Sequence, residues 1–185
     1  MDLEGIQAAV ELFLRSVGVD PAQGDLALTP ERVTQACPEL FQGVGQDPLE
    51  GFEVIEGPNE PVALRGIWFM SFCEHHLLPF HGHVDVLILP EGGRIAGLGT
   101  MARVVHRITR RLQLQEKLTQ EIADALQEAL GARGVLVRSR AYHLCLAARS
   151  EREIDATVVA MASRGALQSD EARGWAMALL ASPER

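Results

Sequence analysis

Residues 67–89 constrain the fold more than any other stretch of this chain. An apolar run, Ile67 to Phe72, leads into Cys73-Glu74-His75-His76, and a second run, Val84 to Leu89, leaves the segment. The pattern predicts strand, polar turn, strand. The segment around the turn, Met70 to His83, holds four of the six histidines and one of the three cysteines. Cys73 and His76 stand three apart, which is metal-ligand spacing in a turn because both side chains can converge on one ion. Alone, such a pair is more often accidental than a site.

A second stretch changes the weighting. Gly134 to Leu146 predicts a strand, extended to about residue 148. Successive strand side chains alternate between faces, so Val135, Val137, Ser139, Ala141, His143 and Cys145 are expected on one side. Cys73, His76 and Cys145 then make three soft or borderline ligands suited to zinc. Structural zinc sites usually have four protein ligands, whereas catalytic sites have three and keep a position for water. Three ligands flanked by two further histidines, His75 and His143, suggest a zinc–water hydrolase. The ion would lower the pKa of bound water towards neutrality and supply hydroxide.

The rest of the chain bounds this reading. Its 185 residues allow one domain of moderate size, or one with a helical extension. At 47% hydrophobic residues the chain can bury a real core. A net charge of -8 argues against a nucleic-acid binder, which needs a basic face; a local phosphate pocket stays possible. Neither a signal-peptide start nor an apolar run of about 18 residues occurs, so a soluble cytoplasmic protein, off the membrane, is expected. Three cysteines cannot all pair, and Cys37 sits in a helical pattern where a buried thiol is the simplest reading.

Periodicity predicts helices over 2–16 and from Thr29-Pro30-Glu31-Arg32 to about residue 41, then a loop over 44–61. Strands follow at about 62–72 and 82–90. Two helices carry the stripes Met101, Val104, Val105, Ile108, Leu112 and Leu118, Ile122, Ala125, Leu126, Ala129. Strands at about 134–148 and 154–161 and a last helix from Ser169 complete an α+β pattern. Residues 1–50 are expected to form an N-terminal helical extension and residues 51–185 the main domain.

Ser71-Phe72-Cys73-Glu74-His75-His76-Leu77-Leu78-Pro79-Phe80-His81-Gly82, then Gly97-Leu98, Ala102-Arg103, Arg110 to Thr119, His143-Leu144-Cys145-Leu146 and Arg149 come in a particular order and spacing. In these, and in Thr29-Pro30-Glu31-Arg32-Val33, the chain resembles the GTP cyclohydrolase I family over about residues 5–168. The resemblance implies a tunnelling fold, an antiparallel sheet in the order β-β-α-α-β-β, with residues 51–185 as its catalytic domain. It implies a homo-oligomer, a decamer of two stacked rings, with active sites between subunits. It implies Zn2+ on Cys73, His76 and Cys145, and GTP or a related purine nucleotide as substrate.

Roles follow from the same resemblance. Hydrolysis at guanine C8 with protonation at N7 suits an imidazole that titrates near neutrality; His143 is expected to protonate N7 and His75 to lie near the ribose. Gln115 and Glu116 are expected in the guanine pocket, where a carboxylate accepts from N1–H and the amino group. Arg103 and Arg149 are expected on the triphosphate, since guanidinium forks fit phosphate oxygens. On a continuing strand Arg149 would share a face with His143 and Cys145. The helix start near Thr100 could add backbone donors. The family's reaction ends in formate and 7,8-dihydroneopterin triphosphate.

The chain departs from the family on the phosphate and ribose side. Gly99-Thr100 stands where Ser-Lys is common, Ser150 replaces a glycine, and Val158-Val159-Ala160-Met161 replaces a threonine-rich segment. Two rivals therefore stand beside the full reaction: a specialised hydrolase that stops at a ring-opened product or prefers fewer phosphates, and a non-catalytic nucleotide-binding ring.

Overall fold

An aspartate starts the first helix. Asp2 Oδ1 accepts from the Gly5 N–H at 2.9 Å and caps α1 (Leu3–Ser16), satisfying one of the donors a helix start leaves free. A short 3-10 turn, Gly24–Leu28, precedes α2 (Thr29–Leu40), which carries Pro30 in its first turn, where a missing N–H costs nothing. These elements belong to one compact unit, Met1–Gln42; a second unit begins at Gly43. The computed structural model describes residues 1–149 and 152–181.

The second unit is built on strands. β1 (Val54–Glu56) pairs antiparallel with β4 (Arg94–Ala96), so the expected loop over 44–61 contains a short strand. The main sheet comprises β2 (Val62–Cys73), β3 (Pro79–Leu89), β5 (Leu112–Gln113), β6 (Gly134–His143) and β7 (Thr157–Gly165), in the order β5-β2-β3-β6-β7. The pairs β2–β3, β3–β6 and β6–β7 are antiparallel, while the two-residue β5 runs parallel to β2. Between the two hairpins lie α3 (Leu98–Thr109) and α4 (Gln115–Leu130); α6 (Asp170–Ala181) follows β7. The expected α+β architecture and the β-β-α-α-β-β order of the tunnelling fold are both present. Among the described residues, no helix is long and apolar enough to cross a membrane.

Strand parity sorts the core. Phe80, Val84, Val86 and Ile88 of β3 and Val135, Val137 and Ala141 of β6 join Met101, Val105, Ile108, Leu118, Ile122 and Leu126 of α3 and α4 in one buried cluster. Leu87, Leu89 and Leu136, of opposite parity, pack with Leu167, Ala176 and Leu180 under α6. Gly131 ends α4 in the left-handed conformation (φ 55°), which glycine adopts without a Cβ penalty.

Three expected boundaries are corrected. The strand from Gly134 stops at His143, and Leu144–Ala147 form a helical turn, α5. Its ladder on β3 ends at the pair Phe80↔His143, and the next residue of β3, Pro79, has no N–H to offer. The released Leu-Cys-Leu-Ala segment is rich in good helix formers. Leu112 leaves the α3 stripe, because α3 ends at Thr109 and Leu112 pairs with Phe72. The last strand is Thr157–Gly165 instead of 154–161, its register set by pairing along the whole of β6 from Tyr142 to Gly134.

Candidate metal centre

The turn after β2 folds back tightly on itself. The Cys73 N–H donates to Leu78 O and the Leu77 N–H donates to Cys73 O, both at 2.9 Å. Leu77 takes a left-handed φ of 55°, uncommon for a branched side chain, and so turns the chain between His76 and Leu78. β5 braces the turn from the side: Cys73 pairs with Gln113, and the Glu74 N–H donates to Gln113 O at 3.2 Å. Lys117 donates to the Glu74 carboxylate at 3.2 Å. Glu74 thus braces the turn.

Cys145 arrives from α5, not from a strand face, and still meets the turn. One ligand atom each from Cys73, His76 and Cys145 lie within 4.8 Å of one another. The Cys73 Sγ and His76 Nδ1 are 3.8 Å apart. Two thiols and an imidazole at this spacing fit a tetrahedral ion held at about 2.3 Å from sulfur and about 2.0 Å from nitrogen. Three donors leave one position of the tetrahedron to water or substrate. Burial pushes the Cys145 thiol pKa up, and the neighbouring Cys73 pushes it further, against a smaller pull from Arg149. Coordination deprotonates such thiols outright. All three cysteines are free.

Arg149 reaches the same place despite leaving the strand. Its Nη1 donates to His76 Nε2 at 2.9 Å. That bond requires a bare Nε2 on His76. An ion held on Nδ1 would put the ring proton on Nε2, and Arg149 would then have to give up this contact.

His143 is held on three sides. Its ring stacks on Phe80 at 4.7 Å between centroids and 7° between planes. Its Nε2 lies 2.7 Å from Gln115 Oε1, and its Nδ1 lies 4.0 Å from Cys145 Sγ. Burial lowers the His143 pKa, opposed by the carboxylate of Glu116. Gln115 itself is buried, and its Nε2 donates to Ser139 Oγ and Val158 O, both at 3.0 Å. Both ends of the Gln115 amide are therefore engaged inside the protein. Glu116, the next residue, is exposed.

The remaining candidates stand apart from this group. His75 is exposed, its ring edge-on to His76 at 5.9 Å. Thr100 is buried in the first turn of α3, and its Oγ1 accepts from Arg103 Nη2 at 2.8 Å. Among the described residues, no hydrogen bond or ion pair joins Thr100 or Arg103 to the metal ligands. Ser150 lies outside the described residues. A cavity of about 330 Å³ opens beside His143, walled by His81, Tyr142, Leu144, Glu153 and Ile154.

Sequence reasoning missed Phe80, Ser139 and Thr119 as supports of the site. Ser139 carried a signal: it is the one polar residue between Val135, Val137 and Ala141 on an inward strand face.

An α+β sheet here gathers two thiols and an imidazole, a donor set compatible with a metal ion, beside a second, oriented imidazole. The GTP cyclohydrolase I family matches residues 6–180. The chain belongs to that family. It is 44% identical over 181 residues to GTP cyclohydrolase 1 of Bifidobacterium longum, covering 97% of this chain and 91% of that protein. It is 41% identical over 171 residues to GTP cyclohydrolase 1 of Bacillus subtilis, covering 91% and 90% respectively. Among solved structures, the apo archaeosine synthase QueF-Like aligns at a TM-score of 0.46 and 20% identity, covering 60% of this chain and 97% of that one.

Proposed function

We propose that this chain is a zinc-dependent GTP cyclohydrolase: it opens the guanine imidazole ring of GTP by hydrolysis at C8, releases formate and forms 7,8-dihydroneopterin triphosphate. The observation that carries the reading is the convergence of Cys73, His76 and Cys145 within 4.8 Å, beside an oriented His143, in a chain matched to the family over 6–180.

Cys73, His76 and Cys145 hold the ion. Bound zinc lowers the pKa of a coordinated water, so a nucleophile for C8 is available near neutral pH. His143 delivers the proton to N7 as water adds across the N7=C8 bond, and the C8–N9 bond then breaks to leave a formamide on N7, the proton of the added hydroxyl passing to N9; the lowered pKa of His143 suits release of its proton. The ring-opened formamide is hydrolysed in a second step to formate. His75 stands towards the ribose. Glu116 accepts from guanine N1–H and the exocyclic amine, which selects guanine over adenine. Gln115, its amide spent inside the chain, serves the pocket by holding His143 at its wall. Arg149 and Arg103 take phosphate oxygens, with the α3 start at Leu98 and Gly99 adding main-chain donors, since the Thr100 N–H is itself given to Gly97 O at 2.9 Å. Residues 51–185 are the catalytic domain and 1–50 an extension.

The chain works as a homo-oligomer, a decamer of two stacked rings, in which a neighbouring copy completes each site. The cytoplasm suits it, because a reducing compartment keeps the three free thiols available.

Incubating the zinc-loaded protein with GTP, while following formate and product mass, tests the proposal. Formate with a pterin triphosphate is the expected result. A ring-opened nucleotide without pterin replaces it with a hydrolase that stops early, as Gly99-Thr100 would favour. Binding of GTP without formate replaces it with a non-catalytic ring.

A further inference from the structure

Behind His143 lies a closed loop of hydrogen bonds whose direction is forced. Thr119 Oγ1 sits 2.6 Å from the main-chain carbonyl of Gln115. A carbonyl cannot donate, so the single Thr119 hydroxyl proton points there. Thr119 Oγ1 also lies 2.7 Å from Ser139 Oγ, so Ser139 must donate in that contact. Ser139 Oγ, its own proton spent, is left to accept from the Gln115 amide at 3.0 Å. The second amide proton goes to the Val158 carbonyl at 3.0 Å, and the Ser139 carbonyl lies on the same side at 3.3 Å. Every atom facing this end of the Gln115 side chain is an acceptor, so the NH2 group belongs there. The amide oxygen consequently faces His143 Nε2 at 2.7 Å and can only accept.

The three residues that make the loop have no water to fall back on. Ser139 and Thr119 are 0% exposed and Gln115 is 1% exposed. Reversing the amide would set its oxygen against three acceptors, Ser139 Oγ and the Ser139 and Val158 carbonyls. Buried polar groups left unmatched in this way are costly, so one arrangement dominates.

We propose that Ser139 and Thr119 are positioning residues that fix the tautomer of His143. Through Gln115 they hold the neutral imidazole with its proton on Nε2 and leave Nδ1 bare. Nδ1 is the nitrogen on the Cys145 side, at 4.0 Å from its sulfur. It is therefore Nδ1 that exchanges a proton with the substrate, while Nε2 stays bonded to Gln115 throughout. The inference rests on the reading of His143 as the proton-transfer group. It adds which atom acts and what sets it. Thr119 contributes from α4, Ser139 from β6 and Val158 from β7, so the tautomer depends on how helix and sheet are packed.

The test is a tautomer measurement on the full-length, zinc-loaded protein. Histidine side chains labelled with 15N are observed by solid-state NMR above neutral pH, and the His143 signals are assigned by their loss in His143→Asn. The expected result is a single Nε2–H form in the native protein and in Thr119→Ser, which keeps the hydroxyl. Thr119→Val and Ser139→Ala should mix the two tautomers and lower kcat by about tenfold, with KM and zinc content little changed. An Nδ1–H form in the native protein overturns the proposal without any variant. So does a pure Nε2–H form that survives in Ser139→Ala. Mixed tautomers with unchanged kcat would uphold the relay and instead overturn the role given to His143.

Discussion

The His143 imidazole lies flat on the Phe80 ring, 4.7 Å away and 7° from parallel. Gln115 fixes which ring nitrogen carries the resting proton; Phe80 fixes the plane in which the other nitrogen faces substrate. Phe80→Leu keeps an apolar side chain but removes the flat support. We expect kcat to fall by about tenfold, with zinc content unchanged. Steady-state kinetics beside metal analysis of the same preparation decides it; a kcat within experimental error of the native value would remove Phe80 from the site.

Removing a ligand should act on metal and turnover together. Cys145→Ala is expected to lose both zinc and formate release, because a two-ligand remnant holds the ion weakly. Chelation of the native protein followed by zinc return should abolish and then restore activity. Full turnover in the chelated protein would refute the proposed chemistry.

Gly82 pairs with Ala141 where the β3 backbone lies tight against β6. A Cβ there would meet the Arg140 carbonyl oxygen at 1.9 Å and the Ala141 Cα at 2.7 Å. Neither is a side chain that can move aside. Gly82→Ala must part the two strands two residues from Phe80, and we expect a loss of about 1–3 kcal/mol. Chemical denaturation at fixed protein and zinc concentration measures it.

Guanine selection is assigned to Glu116 alone. Glu116→Ala should lower kcat/KM for GTP by about tenfold or more without altering zinc content, since Glu116 is exposed and lies outside the Cys73, His76 and Cys145 group found among the described residues. Loss of the metal in this variant would show that the effect is structural.

His106 gives a pH dependence independent of the metal. Burial lowers its pKa below the ordinary 6.5, and Arg110, one turn on in sequence, lowers it further. The unfolded chain therefore binds a proton more readily than the folded one as pH falls below 6.5. Stability is lost on the acid side of that value and is regained above it. His106→Gln should flatten this part of the stability–pH curve, read from denaturation midpoints at matched ionic strength. An unchanged curve would contradict the assignment.

The metal group was legible because its signal is compositional as well as positional. Cysteine and histidine three apart in a turn, with another Cys–His pair later, needs few assumptions about geometry. Strand parity was right up to His143 and failed one step later. The failure had a local cause, Pro79 ending the ladder, which only pairing reveals. Cys145 and Arg149 come beside Cys73 and His76 all the same, so the residues meet although the strand expected to carry them ends early. β1 and β5 were hidden for a different reason: strands of three and two residues form because a partner lies alongside, not because their own pattern demands it. Gln115 read as a pocket residue from the motif that carries it. That its amide turns inward depends on Ser139 and Val158, far away in sequence.

Cys73 and His76 belong to the hairpin turn of β2 and β3, while Cys145 follows β6, about seventy residues later in the chain, a long loop to close. The three donors become neighbours only after β6 has zipped onto β3 as far as Phe80 and His143. An ion with appreciable affinity for this site is thus a reporter of completed sheet assembly. Capture of such an ion would lock the last-paired end of the ladder by mass action, coupling metal supply to the stability of the assembled sheet.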